Sequence, residues 1–286
     1  RFKPVELHHM ASQEGLVVCS RWAKRMLEDA DFHSEDIFVV PLGVDHEMFH
    51  SKPKRLWSED PNAPVANTTR FFNCGKWEVR KGHDVLCEAF NKAFESSDDV
   101  SLTMNCHNPC FQDRQKYLAY NAQWTSFYKN SKLGSKISIA PSRLPKQQDV
   151  ADLMWTMDCG VFPARAEGWN LELGEMLAMG KHCIATNYAG HTEFSTRDSS
   201  LLIEPTKLED AHDGIWFDAN DPEWDGQPGQ WMEFGNEQVD QLVEHLRTVH
   251  RRMQEGLLGV NTAGVVAMAP FTWGATAQKL MKCFTL

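Results

Sequence analysis

The chain has 286 residues, of which 42% are hydrophobic, and it carries a formal net charge of -10 at pH 7. This length predicts one large domain or two domains of about 100–200 residues, with ample apolar content for a buried core. The acidic balance argues against a nucleic-acid partner, because such proteins normally present a basic face. No apolar run reaches the roughly 18 residues that a membrane-spanning helix requires.

The N-terminal residues and the cysteines bear on processing and on redox state. The first residues, RFKPVELHHM, hold neither an initiating Met nor the apolar core of a signal peptide, which suggests that an upstream segment is missing. The eight cysteines are scattered, and several lie in apolar runs. We therefore expect buried, reduced thiols in a cytoplasmic protein. Cys106, His107 and Cys110 lie close together but are too few for a zinc site, which needs about four ligands.

Short apolar runs alternate with helical patterns along the chain. In chain order, the pattern predicts a strand at 15–20, a helix at 21–30 capped by Ser20, and strands at 36–45 and 68–76. Next come a helix at 83–97, strands at 99–106 and 135–141, a helix at 147–157 and a strand at 158–164. The last predicted elements are a helix that begins near Asn170 or Leu171, strands at 181–188 and 200–205, and a surface helix at 236–256.

This alternation of apolar strands with helices predicts a doubly wound, Rossmann-like parallel α/β sheet. Residues 205–235 are the least regular part and are interpreted as an inserted loop. In such sheets, ligands bind beyond the carboxyl ends of the strands, where helix N-termini offer free N–H groups. Two strand-to-helix turns are therefore candidates for a binding site, at 74–84 and at 163–175.

The first turn, CGKWEVRKGHD, concentrates positive charge in an acidic protein. Lys76, Arg80 and Lys81 lie between two glycines that would let the backbone approach a ligand closely. Lysines beside a helix N-terminus suit a diphosphate, although the spacing does not match a P-loop. A solvated basic surface is the alternative interpretation.

The second turn, PARAEGWNLELGE, brings three carboxylates to the start of a helix. Glu167 lies in the loop before the helix, and Glu175 lies about one turn into it. Carboxylates near a helix N-terminus are favourable by about 0.3–1 kcal/mol, which by itself would explain one of them. Because a carboxylate is an acceptor only, it also suits vicinal hydroxyls such as those of a ribose or a hexose. Glu172 is interpreted as a solvated helix residue.

Five segments together resemble a known family. They lie in order at 17–27, 36–50, 71–90, 147–194 and 271–280, and they cover most of residues 15–195 plus the C-terminal part. The chain is similar to the nucleotide-sugar-binding half of retaining glycosyltransferases of the GT-B fold, specifically glycosyltransferase family 4. The resemblance implies a Rossmann-like donor-binding domain.

The resemblance also implies roles for single residues. Glu167 and Glu175 match the family's two glutamates separated by seven residues, which face the donor sugar and hold the ribose hydroxyls, respectively. Lys81 matches the lysine that binds the donor diphosphate, and Gly75 lies in the turn that opens onto the phosphates. Lys76 stands where the family usually has arginine, which keeps the charge but loses bidentate geometry. Glu167, Lys81 and Lys76 are the implied catalytic residues.

Further contacts with the donor are implied for the loop, the helix start and the end of the fifth strand. Backbone N–H groups are expected to face the phosphate or sugar at Gly168, Trp169, Asn170 and Leu171. Asn170 replaces the commoner glycine, a tolerable change because Asn also accepts unusual backbone angles. Arg143 and Leu144 lie where the family contacts the base, mostly through the backbone.

The family's reaction transfers a sugar from a nucleotide diphosphate, such as a UDP- or GDP-sugar, to an acceptor hydroxyl with retention of configuration. Fixed cations and N–H dipoles stabilise the leaving diphosphate. No D-x-D motif stands in a regular element, so we expect no metal and no cofactor. The acceptor, whether carbohydrate, lipid or protein, stays open. Membrane contact is plausible for the family, but no basic amphipathic stretch supports it here.

The resemblance implies a division of the chain into three parts. Residues 1–44 match the end of the family's first, acceptor-binding domain and the crossover, residues 45–271 match the donor-binding domain, and 272–286 match a helix that returns to pack beneath the first domain. Most of the acceptor domain is thus absent from the sequence, which predicts either a fragment of a longer enzyme or an unusually reduced one.

Two other functions remain open at this point. The chain is alternatively a nucleotide-sugar-binding module without turnover, or a GT-B epimerase or phosphorylase. Several conspicuous side chains are given structural roles instead: His8, His9, His107, His182 and His191 as polar surface or capping residues, and the tryptophans of 216–231 as packing for the insert.

Overall fold

The fold is that of a computed structural model, which describes residues 1–51 and 68–284. The chain begins with helix α1 (Pro4–Ala11), strand β1 (Leu16–Val18), helix α2 (Arg21–Glu28) and strand β2 (Ile37–Val39). β1 and β2 form a separate two-stranded parallel sheet. Ser20 accepts a hydrogen bond from the backbone N–H of Ala23, so the predicted cap of α2 is confirmed.

The main sheet has six parallel strands, as the alternating pattern predicts. They are β3 (Thr69–Gly75), β4 (Val100–Cys106), β5 (Ile137–Ile139), β6 (Cys159–Phe162), β7 (His182–Thr186) and β8 (Leu201–Ile203). Their spatial order is β5-β4-β3-β6-β7-β8, so the chain builds outward from β3 in one direction and then from β6 in the other. The doubly wound α/β fold class is therefore confirmed, with its topological switch point between β3 and β6.

Helices cover both faces of this sheet. They are α3 (His83–Ala93), α4 (Arg114–Lys129), α5 (Gln147–Trp155), α6 (Leu171–Ala178), α7 (Asn236–Gln254) and α8 (Thr262–Met268). Because neighbouring side chains of a strand point to opposite faces, Phe71 packs in one core with residues of α3 and α7. Phe72 packs in a second core with residues of α5, α6 and α8. Both phenylalanines are fully buried.

Several elements escape the sequence pattern. Helix α4 fully buries only Tyr128. Tyr120 and Trp124, eight and four residues earlier on the same face, are partly buried against the first core. The stretch 205–235 is not wholly irregular, because strands β9 (Leu208–Asp210) and β10 (Gln230–Met232) pair antiparallel within it. Helices α1 and α8 were likewise not predicted. All of these are short or weakly apolar, which leaves little periodic signal.

The C-terminal helix α9 (Trp273–Cys283) returns to the N-terminal segment. Val44 and Thr272 form an isolated parallel bridge, and the hydroxyl of Thr276 donates to the carbonyl of Pro41. The last two residues of the predicted segment 272–286 lie outside the described residues. The three-part division of the chain stays a prediction. In the part of the chain that the structure describes, no helix is both long and apolar enough to span a membrane.

Candidate functional site

The two turns singled out in the sequence meet at the switch point of the sheet. The turn at 75–82 leaves the carboxyl end of β3, and the loop at 163–170 leaves that of the adjacent strand β6. A backbone hydrogen bond from the N–H of Arg165 to the carbonyl of Arg80 (2.7 Å) joins them. The N-terminus of α3 and that of α6 therefore open onto the same end of the sheet, where doubly wound proteins bind their ligands.

Two glycines shape the first turn. Gly75 has a φ of 141°, and a Cβ there would approach the ammonium nitrogen of Lys81 to 3.0 Å. Gly82 has a φ of 73°, and a Cβ there would lie 1.9 Å from the carbonyl oxygen of Pro163. Only glycine combines this backbone angle with so close an approach of the two turns. The turn thereby fixes Lys81 just before α3.

Lys81 and Glu167 form the central ion pair of the site. The Lys81 ammonium lies 3.0 Å from the Glu167 carboxylate, and both side chains are at least nine-tenths buried. Burial would raise the pKa of Glu167, but the charges of Lys81 and Arg80 outweigh it and lower the pKa to about 2. Burial would lower the pKa of Lys81, yet Glu167 and Glu172 raise it above its ordinary value. Both groups are therefore ionised at neutral pH.

Arg80 belongs to this network but faces the protein. Its guanidinium donates to the carbonyl of Ala166 (2.6 Å) and to the Glu78 carboxylate (2.8 Å), and lies 3.1 Å from Glu167. The side chain of Glu78 is only 6% exposed. Arg80 therefore ties the two turns together, a role that the sequence pattern does not predict. No local pattern predicts this role, because the burial of Glu78, which requires a paired cation, arises from tertiary packing.

Asn170 starts helix α6 as predicted. Its side chain accepts a hydrogen bond from the N–H of Leu173 (3.3 Å), and its own φ is 68°. This left-handed angle is the one for which Asn is the usual substitute for glycine. Leu171 is the first helical residue and is half-buried.

The interpretation of Glu172 as a solvated residue is wrong. Its side chain is 25% exposed, and its carboxylate lies 3.5 Å from the Lys81 ammonium. The reason is tertiary: the first turn of α6 faces the β3 turn, so a side chain at this position meets Lys81 rather than open solvent. Sequence periodicity does not show which strand lies beside β6.

Glu175 occupies the next turn of α6 in a very different environment. The side-chain amide of Gln147 donates to it at 3.4 Å. Burial first and the negative charge of Glu172 second raise the pKa of Glu175 to about 8. Two glutamates of one motif thus have opposite ionisation properties, because Glu167 has two cations beside it and Glu175 has none within bonding distance among the residues described.

A cavity of about 480 Å³ adjoins these residues. Five predicted or newly recognised site residues line it, namely Gly75, Lys76, Arg143, Leu144 and Glu172. The structure therefore brings the predicted base-contacting segment next to the predicted phosphate turn. Lys76 is half-exposed, and its ammonium lies 3.5 Å from the Glu78 carboxylate.

The rest of the loop is mostly structural in this geometry. Trp169 is 3% exposed and packs against Phe194 and Phe271. Gly168 is exposed, and its carbonyl accepts a hydrogen bond from the Cys19 thiol at 3.1 Å. Neither residue lines the cavity, and the proposed contribution of their backbone N–H groups stays a prediction.

His191 is not the surface or capping residue that the sequence predicts. It is fully buried, and Nε2 lies 2.7 Å from the carbonyl oxygen of Thr186. Burial lowers its pKa, so the ring is neutral and donates to that carbonyl. The adjacent Gly190 N–H donates to the Glu167 carbonyl at 2.8 Å, so the short turn at 190–193 supports the loop at 163–170, the site loop.

The remaining candidates carry structural roles or none. Trp231 is 2% exposed and packs edge-to-face on Phe217 within the insert, as predicted for a packing residue. Within residues 1–51 and 68–284, all eight cysteines are free, and no group of three or more His, Cys, Asp or Glu side chains is placed to hold a metal ion.

Comparison with known proteins bears on this geometry. Residues 68–216, slightly more than half of the chain, match the sequence model of glycosyl transferases group 1. No curated protein matches the sequence significantly.

Solved structures of the GT-B architecture match nearly the whole chain. A glycosyltransferase from Rickettsia africae is 21% identical with a TM-score of 0.62, over 95% of this chain and 63% of its own. Sucrose-phosphate synthase from Thermosynechococcus elongatus is 15% identical with a TM-score of 0.70, over 98% and 60%. HepE from Anabaena, in complex with UDP and glucose, is 14% identical with a TM-score of 0.66, over 96% and 63%.

The chain thus spans about three fifths of the length of these structures. At such low identities the likeness shows the fold alone, whereas the match over residues 68–216 is a likeness in sequence. The chain belongs to the glycosyl transferases group 1 family.

Proposed function

We propose that this chain is the donor-binding part of a retaining glycosyltransferase of family 4, which transfers a hexosyl group from a UDP- or GDP-sugar to an acceptor hydroxyl. The buried Lys81–Glu167 pair at the switch point is the observation that carries the proposal. HepE, a structural neighbour, is recorded in complex with UDP and with UDP-glucose, which favours a UDP-sugar.

Each residue has a distinct task in the proposed reaction. As the bond from sugar to diphosphate breaks, negative charge builds up on the leaving phosphate oxygens. Lys81 is the fixed cation that stabilises this charge, with the N–H groups at the start of α6. Glu167 stays ionised, so it accepts hydrogen bonds from donor-sugar hydroxyls. Its charge also stabilises the positive character that develops at the sugar ring.

The nucleoside part of the donor extends along the cavity from the β3 turn. Glu175 accepts the ribose hydroxyls, Lys76 supplements the positive charge near the phosphates, and Arg143 and Leu144 border the base. The cavity is lined by Gly75, Lys76, Arg143 and Leu144, and its volume of about 480 Å³ suits a nucleotide. Glu175 does not line it but lies one turn along α6 from Glu172, which does. No metal ion has a task in this scheme.

Calorimetric titration of the full chain with UDP, GDP and ADP, and with their glucose conjugates, tests the proposal. We expect one base series to bind, and Lys81→Met to weaken its diphosphate by about tenfold or more, because charge-assisted hydrogen bonds to phosphate are lost. Lys116→Met, at an exposed position of α4, is the matched control and should bind normally. Failure of all three series to bind, or equal binding by Lys81→Met, would refute the proposal.

A further inference from the structure

The position of Glu172 between the cavity and Lys81 has a consequence for binding. Glu172 lines the cavity and its side chain is 25% exposed, whereas the side chain of Lys81, 3.5 Å away, is only 10% exposed. A ligand that enters the cavity therefore meets the Glu172 carboxylate before it meets the Lys81 ammonium.

The charges around Lys81 balance without any ligand. The β3 turn contributes three cations, Lys76, Arg80 and Lys81, and each lies within 3.5 Å of at least one carboxylate oxygen. The carboxylates are Glu78, Glu167 and Glu172, also three in number. Glu78 and Glu167 are buried and held by Arg80, but Glu172 is a quarter exposed and is bound to Lys81 alone among the described ion pairs. Glu172 is thus the carboxylate that a ligand can displace.

We infer that Glu172 is a specificity-determining residue, whose carboxylate competes with the donor diphosphate for Lys81. The competition weakens a ligand more strongly as its negative charge increases. The inference rests on the proposed function, which brings a diphosphate to Lys81.

This charge dependence separates the product from the substrate. In a nucleotide sugar both phosphates are esterified, so neither has an ionisation near neutral pH. In the released nucleoside diphosphate the terminal phosphate titrates at about pH 6 and carries additional charge at pH 8. Repulsion from Glu172 therefore acts more strongly on the product than on the substrate. When the Glu172 carboxylate pairs with Lys81 again, it favours release of the product.

The helix dipole alone does not account for this arrangement. Glu237 occupies the first turn of α7, as Glu172 does in α6, so both gain from a helix N-terminus. Glu237 is exposed and contacts Gln241 rather than a cation. Glu237→Gln is therefore a control that removes the same charge and the same helix interaction without affecting Lys81.

The experiment compares Glu172→Gln with wild type by calorimetry at pH 9, where Glu175, whose pKa is raised to about 8, is largely ionised in both proteins. The first probe is inorganic pyrophosphate, which has no ribose and therefore makes no ribose contact with Glu175. The other probes share the base that binds, and they are the nucleoside, the nucleoside diphosphate and the nucleotide sugar. We expect the variant to bind pyrophosphate and the nucleoside diphosphate about three- to tenfold more tightly, the nucleotide sugar with a smaller gain, and the nucleoside unchanged. Glu172→Met, a second neutral variant, should repeat these shifts.

Several results would overturn the inference. Pyrophosphate binding that is absent, unchanged or weaker in both neutral variants would show that Glu172 does not compete with a diphosphate for Lys81. An equal change for the uncharged nucleoside, or an equal gain in Glu237→Gln, would indicate a structural or long-range effect instead. Failure of the proposed function gives a different result. In that case no nucleoside diphosphate shows binding that depends on both its base and Lys81, irrespective of the residue at position 172.

Discussion

The ionisation of Glu175 decides how well this residue accepts a pair of hydroxyl groups. Its folded-state pKa is raised to about 8, by burial and then by Glu172. Below that pH the carboxyl group carries a proton and offers fewer acceptor positions to the ribose of the proposed donor. Binding of the donor should therefore strengthen as the pH rises from 6.5 towards 8 and level off above it. The pH dependence of folding has the opposite sign. Between about pH 4.5 and pH 8 the folded state keeps the Glu175 proton while the unfolded chain loses it, so the free energy of unfolding falls as the pH rises through this window.

Titration of a nucleotide sugar across pH 6.5–9 measures this effect without interference from a phosphate ionisation. We expect about a three- to tenfold gain in affinity over the window in wild type. Glu175→Gln should remove the pH dependence, because an amide does not titrate there. Glu172→Gln should move the midpoint to lower pH, because it removes one cause of the raised pKa. A pH profile in Glu175→Gln identical to that of wild type would contradict the assignment of this residue.

At the scale of elements, the contact between the β3 turn and the β6 loop depends on Gly82. Alanine at this position would combine a left-handed φ of 73° with a Cβ only 1.9 Å from the Pro163 carbonyl oxygen. Either α3 or the β6 loop must then move, and Lys81 moves with it. We expect Gly82→Ala to lower the free energy of unfolding by about 3 kcal/mol and to weaken binding of pyrophosphate.

Gly256 provides the matched control for this prediction. Its φ of 69° is nearly the same, but an added Cβ would meet nothing within 4 Å. Gly256→Ala should therefore cost only about 1 kcal/mol, which is the strain of the backbone angle, and leave binding intact. Urea denaturation of both variants measures the difference. Equal losses would mean that the close approach to Pro163 contributes nothing.

The elements differ in how far the sequence predicts them. β6 is buried at all four positions and β7 at four of its five, and such short buried runs are visible without tertiary information. Helix α4 has little apolar periodicity because only one of its residues is fully buried, so its helix is stabilised by a few aromatic contacts that depend on the neighbouring elements.

The same distinction holds within the site. The spacing of Glu167 and Glu175 and the position of Lys81 just before Gly82 are local features, and the structure brings Lys81 and Glu167 together. The ion pairs of Glu172 with Lys81 and of Glu167 with Arg80 follow from the adjacency of β3 and β6, which no local pattern encodes. His191 was misplaced for the same reason, since its burial depends on the turn at 190–193 packing beneath the site loop.

At the scale of the whole molecule, the N-terminal segment and the C-terminal helix hold each other in place. Cys19 and Arg21 of the N-terminal segment reach the site loop and the adjacent turn, through bonds to the Gly168 carbonyl and to Glu193. Helix α9 in turn fixes this segment at Val44 and Pro41. Loosening α9 should therefore affect the surroundings of the site as well as the end of the chain.

Substitution of Gly43 would disrupt the packing of α9 against the N-terminal segment. A Cβ there would lie 2.2 Å from the backbone nitrogen of Trp273 and 2.4 Å from the backbone of Thr272, so α9 cannot keep its place in Gly43→Ala. We expect a loss of about 2 kcal/mol in the free energy of unfolding and faster proteolytic cleavage between residues 270 and 284. Gly259→Ala, where nothing lies within 4 Å of the added carbon, should match wild type in both measurements. If Gly43→Ala resists protease and denaturant as well as Gly259→Ala does, then α9 is not packed against the N-terminal segment in solution.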